Sequence, residues 1–226
     1  MSELDRWQRF WKDRSVAGHS HDEAEHYTSH GNELKVLFGT RAPQAVLEIG
    51  CGDGVLFDHL GFAQAREYRG VDFSEAMLDV FRQRRPGVSL VCGSGHSYRD
   101  DRKYDLIFCS QVVQYFNPAM LDEYFGNAAA MLAEGGRVVC ASVPWRPLRR
   151  RYLMGQFSAR KRSAAWSLMH YARHLKSDSM GHWYDWRDLQ RPAAAHGFVA
   201  KFHGSLYYPY RFHAVLQRSD GARTDA

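Results

Sequence analysis

Between residues 45 and 143 short apolar blocks alternate with stretches whose apolar residues recur every three or four positions. The blocks fall at 45–49, 68–72, 88–92, 104–110 and 136–143, each bounded by glycine, charged or turn residues. Blocks of this length without strict alternation read as strands buried on both faces. The stretches at about 54–64, 74–84 and 118–133 carry the helical period. The Gly135-Gly136 pair reads as the stop of the third helix and the turn into the fifth strand. Strand and helix in regular alternation predict an α/β fold: a doubly wound, mostly parallel sheet with helices on both faces. A basic, aromatic segment follows at about 145–184. Beyond it a helix is expected at 185–196, ending at Gly197, then strands at 198–203 and 211–217 with Pro209 between them. That hairpin raises the expected sheet to seven strands with the last antiparallel.

The flanks read differently. Residues 1–40 are polar and His-rich, with apolar spots at Trp7, Phe10, Trp11, Leu34, Leu37 and Phe38. They are expected to form one or two helices packed loosely on the core. The main domain is expected over 41–218, with 145–184 inserted at the open end of the sheet, and 219–226 as a disordered tail.

The chain has 226 residues, 45% of them apolar, which suits one well-cored domain with an appendage. No apolar run approaches the roughly 18 residues of a membrane span. Met1 to Trp7 has no basic region followed by an apolar stretch, so it does not read as a signal peptide. Cys51, Cys92, Cys109 and Cys140 are too far apart for a zinc-type pair. Three fall in expected buried strands and Cys51 in a glycine turn, so they read as reduced thiols of a cytoplasmic protein. Charge is distributed unevenly. Gly135 to Ser177 holds ten basic residues and no acid, leaving 20 Lys and Arg against 25 acids elsewhere. The basicity is therefore local and points to a local anionic contact.

Two stretches carry chemistry. Val46-Leu47-Glu48-Ile49-Gly50-Cys51-Gly52-Asp53-Gly54 reads as a strand ending in an acid and alternating glycines. Gly70-Val71-Asp72-Phe73-Ser74 reads as the next strand, ending in a second acid. A glycine turn lets a ligand approach the backbone, and an acid after the next strand can accept from both hydroxyls of a ribose. A nucleoside-bearing cofactor across the carboxyl ends of the sheet is implied. The glycine spacing is G-x-G-x-G and not the dinucleotide G-x-G-x-x-G. Glu48 would repel a pyrophosphate and suits a ligand with an amino group.

VLEIGCGDG resembles the first motif of class I S-adenosylmethionine-dependent methyltransferases, and GVDFSEAML resembles their second. The resemblance covers roughly 44–143 and, more loosely, 182–217. It implies S-adenosyl-L-methionine as cofactor. Gly50, Cys51 and Gly52 would then meet the methionyl part, Glu48 the α-ammonium and Asp72 the ribose. Phe73 and Met77 would flank the adenine, with plain core as the competing reading. Ser94, beside Gly95, stands where the family commonly has an acid for the adenine amino group; a hydroxyl can still accept there. Ser110 and Gln111 would line the junction of cofactor and acceptor.

The acceptor is less legible. Asn117-Pro118 lacks the second proline of amino-methylating DNA enzymes, and no cysteine follows a proline as in cytosine C5 enzymes. DNA bases are therefore not expected. His182 is the candidate general base, with His213 as the other histidine considered. His19, His21, His26 and His30, with Asp22, Glu23 and Glu25, could in principle bind a metal, but their spacing matches no established pattern and a solvated segment is expected. Trp145, Arg149, Arg150 and Tyr184 are the candidate acceptor contacts in the 145–184 segment. That segment suits a lid over an anionic small molecule, a basic amphipathic helix on a lipid surface, a nucleic-acid patch, or a solvated face. The expectation is a methyltransferase acting on oxygen or nitrogen of a small anionic acceptor, phosphorylated, nucleotide-linked or carboxylated. The alternatives are an RNA methyltransferase, a lipid-headgroup methyltransferase at a membrane surface, and a non-catalytic cofactor-binding partner protein.

Overall fold

The computed structural model describes residues 24–158, 163–175 and 180–219. Its strands are β1 (Ala45–Ile49), β2 (Glu67–Asp72), β3 (Leu90–Cys92), β4 (Tyr104–Ser110), β5 (Leu132–Pro144), β6 (Phe198–Gly204) and β7 (Arg211–Arg218). They form one sheet in the order β3-β2-β1-β4-β5-β7-β6. The first five run parallel, and β7 pairs antiparallel with both β5 and β6. The expected seven-stranded, mostly parallel sheet with an antiparallel final strand is the observed one.

Strand residues alternate between two cores. On one face Leu47, Ile49, Ile107, Cys109, Val138 and Cys140 pack under α4 (Pro118–Met131) and α7 (Trp186–Ala195). On the other Val46, Leu106, Phe108, Val139 and Val215 pack under α1 (Ala24–Val36), α2 (Val55–Leu60) and α3 (Glu75–Arg84). Burial on both faces is why these strands read as unbroken apolar runs. Caps set the helix starts: the Asn117 side chain accepts from Met120 N–H at 3.0 Å with Pro118 next, and Asp185 and Asp188 form a capping box on α7.

Three expectations are corrected. Gly135 and Gly136 do not end the third helix. That helix ends at Met131, and Leu132 is already extended and paired with Tyr104. The glycines sit inside β5, where its register against β4 shifts. Cys92 is exposed, because β3 is a three-residue strand at the sheet edge. The described part of residues 1–40 is not loosely packed: Leu34 is fully buried, with Leu37 and Phe38 beside it in the core. Among the described residues no helix is long and apolar enough to cross a membrane. The first 23 residues, Arg160 to Arg162, Lys176 and the tail from Asp220 lie outside the described residues.

Candidate active site

A cavity of about 360 Å³ opens at the carboxyl ends of the parallel strands. This is where open α/β sheets bind ligands, at the point where the strand order reverses between β1 and β4. Glu48, Gly50, Cys51, Gly52, Asp72, Phe73, Met77, Ser94, Gly95, Ser110 and Gln111 all line it. The order of these residues follows the sheet. Ser94 and Gly95 come after β3, Asp72 and Phe73 end β2, Gly50 to Gly52 follow β1, and Ser110 and Gln111 close β4.

The glycine turn is held by Val71 O, which accepts from Gly50 N–H at 2.7 Å and Cys51 N–H at 3.2 Å. Gly50 has φ 73°, and a Cβ there would overlap Val112. Gly52 has φ 55°, and a Cβ there would touch only Met77 at 3.4 Å, so its absence keeps the cavity floor open. Asp72 binds both sides of the turn: one carboxylate oxygen accepts from Gly52 N–H and the other from Ser74 N–H, each at 2.9 Å. Each oxygen keeps a lone pair for a further donor. Burial pushes the Asp72 carboxyl upward, opposed by those backbone donors.

Glu48 is 2% exposed and accepts from Tyr68 Oη at 2.5 Å. Burial raises its carboxyl to about 8, the Tyr68 hydrogen bond opposes this, and the charge of Asp72 adds to it. Two acids thus line this end without a basic side chain against them. Asp53, also on the wall, does have one, Arg84 at 2.8 Å. Ser110 Oγ is buried and makes no hydrogen bond. These features fit a ligand with an ammonium, a vicinal diol and a cationic centre over β4.

The rest of the lining was not foreseen. Tyr27 and His30 from α1, Tyr115 and Phe116 after β4, Met120 from α4 and Tyr208 from the β6–β7 loop complete the wall. Glu33 ties two of these segments together. Its carboxylate accepts from Leu206 N–H at 2.5 Å, Tyr207 N–H at 3.2 Å and Ser205 Oγ at 3.2 Å, and lies 3.7 Å from His30. His30 is 1% exposed and packs against the rings of Tyr207 and Tyr208, so it does not belong to a solvated cluster. His19 and His21 lie outside the described residues.

The remaining candidates take structural positions. His213 Nδ1 accepts from Ser142 N–H at 3.1 Å, and Nε2 lies 3.3 Å from Glu33. Ser142 has φ 56° and sits where β5 slips its register against β7. His213 satisfies the N–H that this bulge removes from the ladder. Burial lowers its pKa, which favours the neutral ring with Nε2–H toward Glu33. Both nitrogens are then engaged, which leaves no base. His213→Ala should orphan Ser142 N–H and destabilise the fold by about 1–3 kcal/mol in urea unfolding; unchanged stability would remove this role.

His182 does not line the cavity; its backbone N–H donates to Gln114 O at 2.7 Å. Tyr184 is buried and its hydroxyl donates to Phe116 O. Trp145 forms a strand-like bridge with Tyr184. Arg149 donates to Leu175 O at 2.9 Å and His174 O at 3.3 Å, closing the end of α6 (Ala164–His174). Arg150 is exposed on α5 (Arg149–Leu153). None of these four lines the cavity, because each is committed to the cap's own structure or faces solvent.

Residues 46–136 match the family model described as "Methyltransferase domain". The chain is similar to malonyl-[acyl-carrier protein] O-methyltransferase of Priestia megaterium, 38% identical over 77 residues, covering 32% of this chain and 28% of that one. It is also similar to the dTDP-3-amino-3,4,6-trideoxy-alpha-D-glucopyranose N,N-dimethyltransferase of Streptomyces venezuelae, 30% identical over 128 residues, covering 53% and 51%. The chain thus spans about half or less of these relatives' length. Among solved structures, the DhpI-SAH complex superposes with TM-score 0.66 at 14% identity, covering 94% of this chain and 95% of that one. Residues 46–136 thus match a methyltransferase domain, and the chain has the fold of class I S-adenosylmethionine-dependent methyltransferases.

Proposed function

We propose that the protein transfers a methyl group from S-adenosyl-L-methionine to oxygen or nitrogen of a small, anionic acceptor. The observation that carries the reading is one cavity lined both by the eleven cofactor candidates and by the rings of Tyr27, Tyr115, Phe116 and Tyr208. The bound cofactor would supply an electrophilic methyl on a sulfonium. The chain's own groups would do the rest. Asp72 would hold the ribose, Glu48 the ammonium, and Ser110 and Gln111 the junction over β4. Tyr27, Tyr115, Phe116 and Tyr208 would exclude water and align the acceptor, which supplies much of the rate when the acceptor is already nucleophilic. A carboxylate needs no base, and an amine can give its proton to water after transfer. Neither candidate base lines the cavity: His182 and His213 are both absent from its wall, and both ring nitrogens of His213 are engaged by Ser142 and Glu33.

The anionic class is supported by two relatives whose names give a malonyl group on a carrier protein and a dTDP-linked sugar. The acid-free basic stretch at 135–177 points the same way. Mass spectrometry of a metabolite extract incubated with protein and methyl-deuterated cofactor tests the proposal. Label is expected in a small molecule that carried a carboxylate or phosphate; label confined to RNA, or none, overturns it.

A further inference from the structure

Resting on that reading, we propose that Arg211 makes the Tyr208 side of the cavity an anion-selective subsite, acting from behind Tyr208. Arg211 opens β7 and is 4% exposed, the only buried Lys or Arg side chain among the described residues. All of its partners are neutral. It donates to Gln114 Oε1 at 2.7 Å, to Ser142 O, and to Met180 Sδ at 3.5 Å. Its guanidinium carbon lies 5.5 Å from the Tyr208 ring and 5.6 Å from the Tyr210 ring. Its Nε is buried with no hydrogen-bond partner. No described carboxylate lies within ion-pair distance. Buried charges are normally paired, and arginine cannot shed its proton.

Tyr208 and Tyr115 are cavity wall, so the cation stands one ring away from the space an acceptor would fill. The side of Glu48 and Asp72 carries the opposite imbalance: among the described residues no cation lies against either, and Glu48, held neutral by burial, can ionise against an ammonium. The cavity is therefore polarised along its length. A cationic methyl donor suits the acidic end, and an anionic acceptor suits the end backed by Arg211. An anion placed against Tyr208 would be held by neutral donors and favoured by the charge behind them, where low dielectric makes that charge count. Arg211 is thus a positioning and specificity residue, not one that touches the reacting atoms.

The test is equilibrium binding to protein saturated with S-adenosylhomocysteine. The probes are the dicarboxylates from malonate to adipate, with their neutral diamides. Wild type should bind at least one dianion about tenfold more tightly than its diamide. Arg211→Met should reduce that preference to about twofold with S-adenosylhomocysteine affinity retained, and Arg211→Lys should restore part of it. Equal binding of dianions and diamides by wild type overturns the proposal even where Arg211→Met does not fold, as does a Met variant that keeps the preference. Methyl transfer to a neutral acceptor without anion preference would sink the role of Arg211 alone. Failure to bind S-adenosylhomocysteine at all would sink the underlying methyltransferase reading.

Discussion

Asp72→Ala should weaken binding of S-adenosylmethionine by about 2–4 kcal/mol, or roughly 30- to 800-fold. Two ribose hydroxyls would lose their acceptor in a site from which water is largely excluded. The same change frees Gly52 N–H and Ser74 N–H, which Asp72 now accepts at 2.9 Å. The glycine turn would loosen as well, and both effects lower affinity. Asp72→Asn separates them, because the amide keeps one oxygen acceptor for the turn and loses the charge. Calorimetry of the three proteins checks the prediction. Equal affinities would show that the ligand's ribose lies elsewhere.

The second large effect is that of Glu48, and it depends on pH. Burial holds its carboxyl at about 8 in the folded protein, against 4.5 for a free one. The folded state therefore keeps a proton that the unfolded chain loses. Stability from this site is fully present below the unfolded value of 4.5 and is lost as pH rises through about 8. The difference amounts to something on the order of 5 kcal/mol. Glu48→Gln should abolish it, leaving the variant more stable than wild type above about pH 8 and similar to it near pH 5. Cofactor binding should move the other way. An ammonium favours ionised Glu48, so wild-type affinity should rise as pH approaches 8, while the Gln variant binds weakly and with little pH dependence. Denaturant titrations and calorimetry across that range test both limbs. Parallel pH profiles for the two proteins would show that Glu48 stays neutral with ligand bound.

These effects sit in the part of the molecule that was readable from sequence. β1 and β4 are double-faced strands whose burial is visible in Val46 to Ile49 or Leu106 to Cys109 alone. The glycine turn and Asp72 are local too, being joined by the 20-residue step from Gly52 to Asp72 that β1–β2 pairing brings together. The aromatic part of the wall is assembled from distant segments. Tyr27, His30, Tyr115 and Tyr208 meet only because β7 inserts beside β5 and Glu33 ties α1 to the loop before it. No local periodicity carries that information. The Tyr207-Tyr208-Pro209-Tyr210-Arg211 run was the available signal: three aromatics and a basic residue crowded before a strand. Gly135 and Gly136 misled for the converse reason. Their stop signal is local, but pairing of Leu132 with Tyr104 starts the strand before it. Arg149 was read as an acceptor contact from its charge alone, whereas its guanidinium donates to the carbonyls that end α6.

One cavity across β3, β2, β1 and β4 is expected to hold the methyl donor with its reactive end toward Tyr208. A crystal structure of the protein with S-adenosylhomocysteine tests it most directly. The ribose is expected on Asp72, the adenine between Phe73 and Ser94, the amino group at Glu48, and the sulfur beside Ser110 and Gln111. Ligand density elsewhere, or an adenine seated against Tyr208 with the sulfur near Ser94, would contradict it.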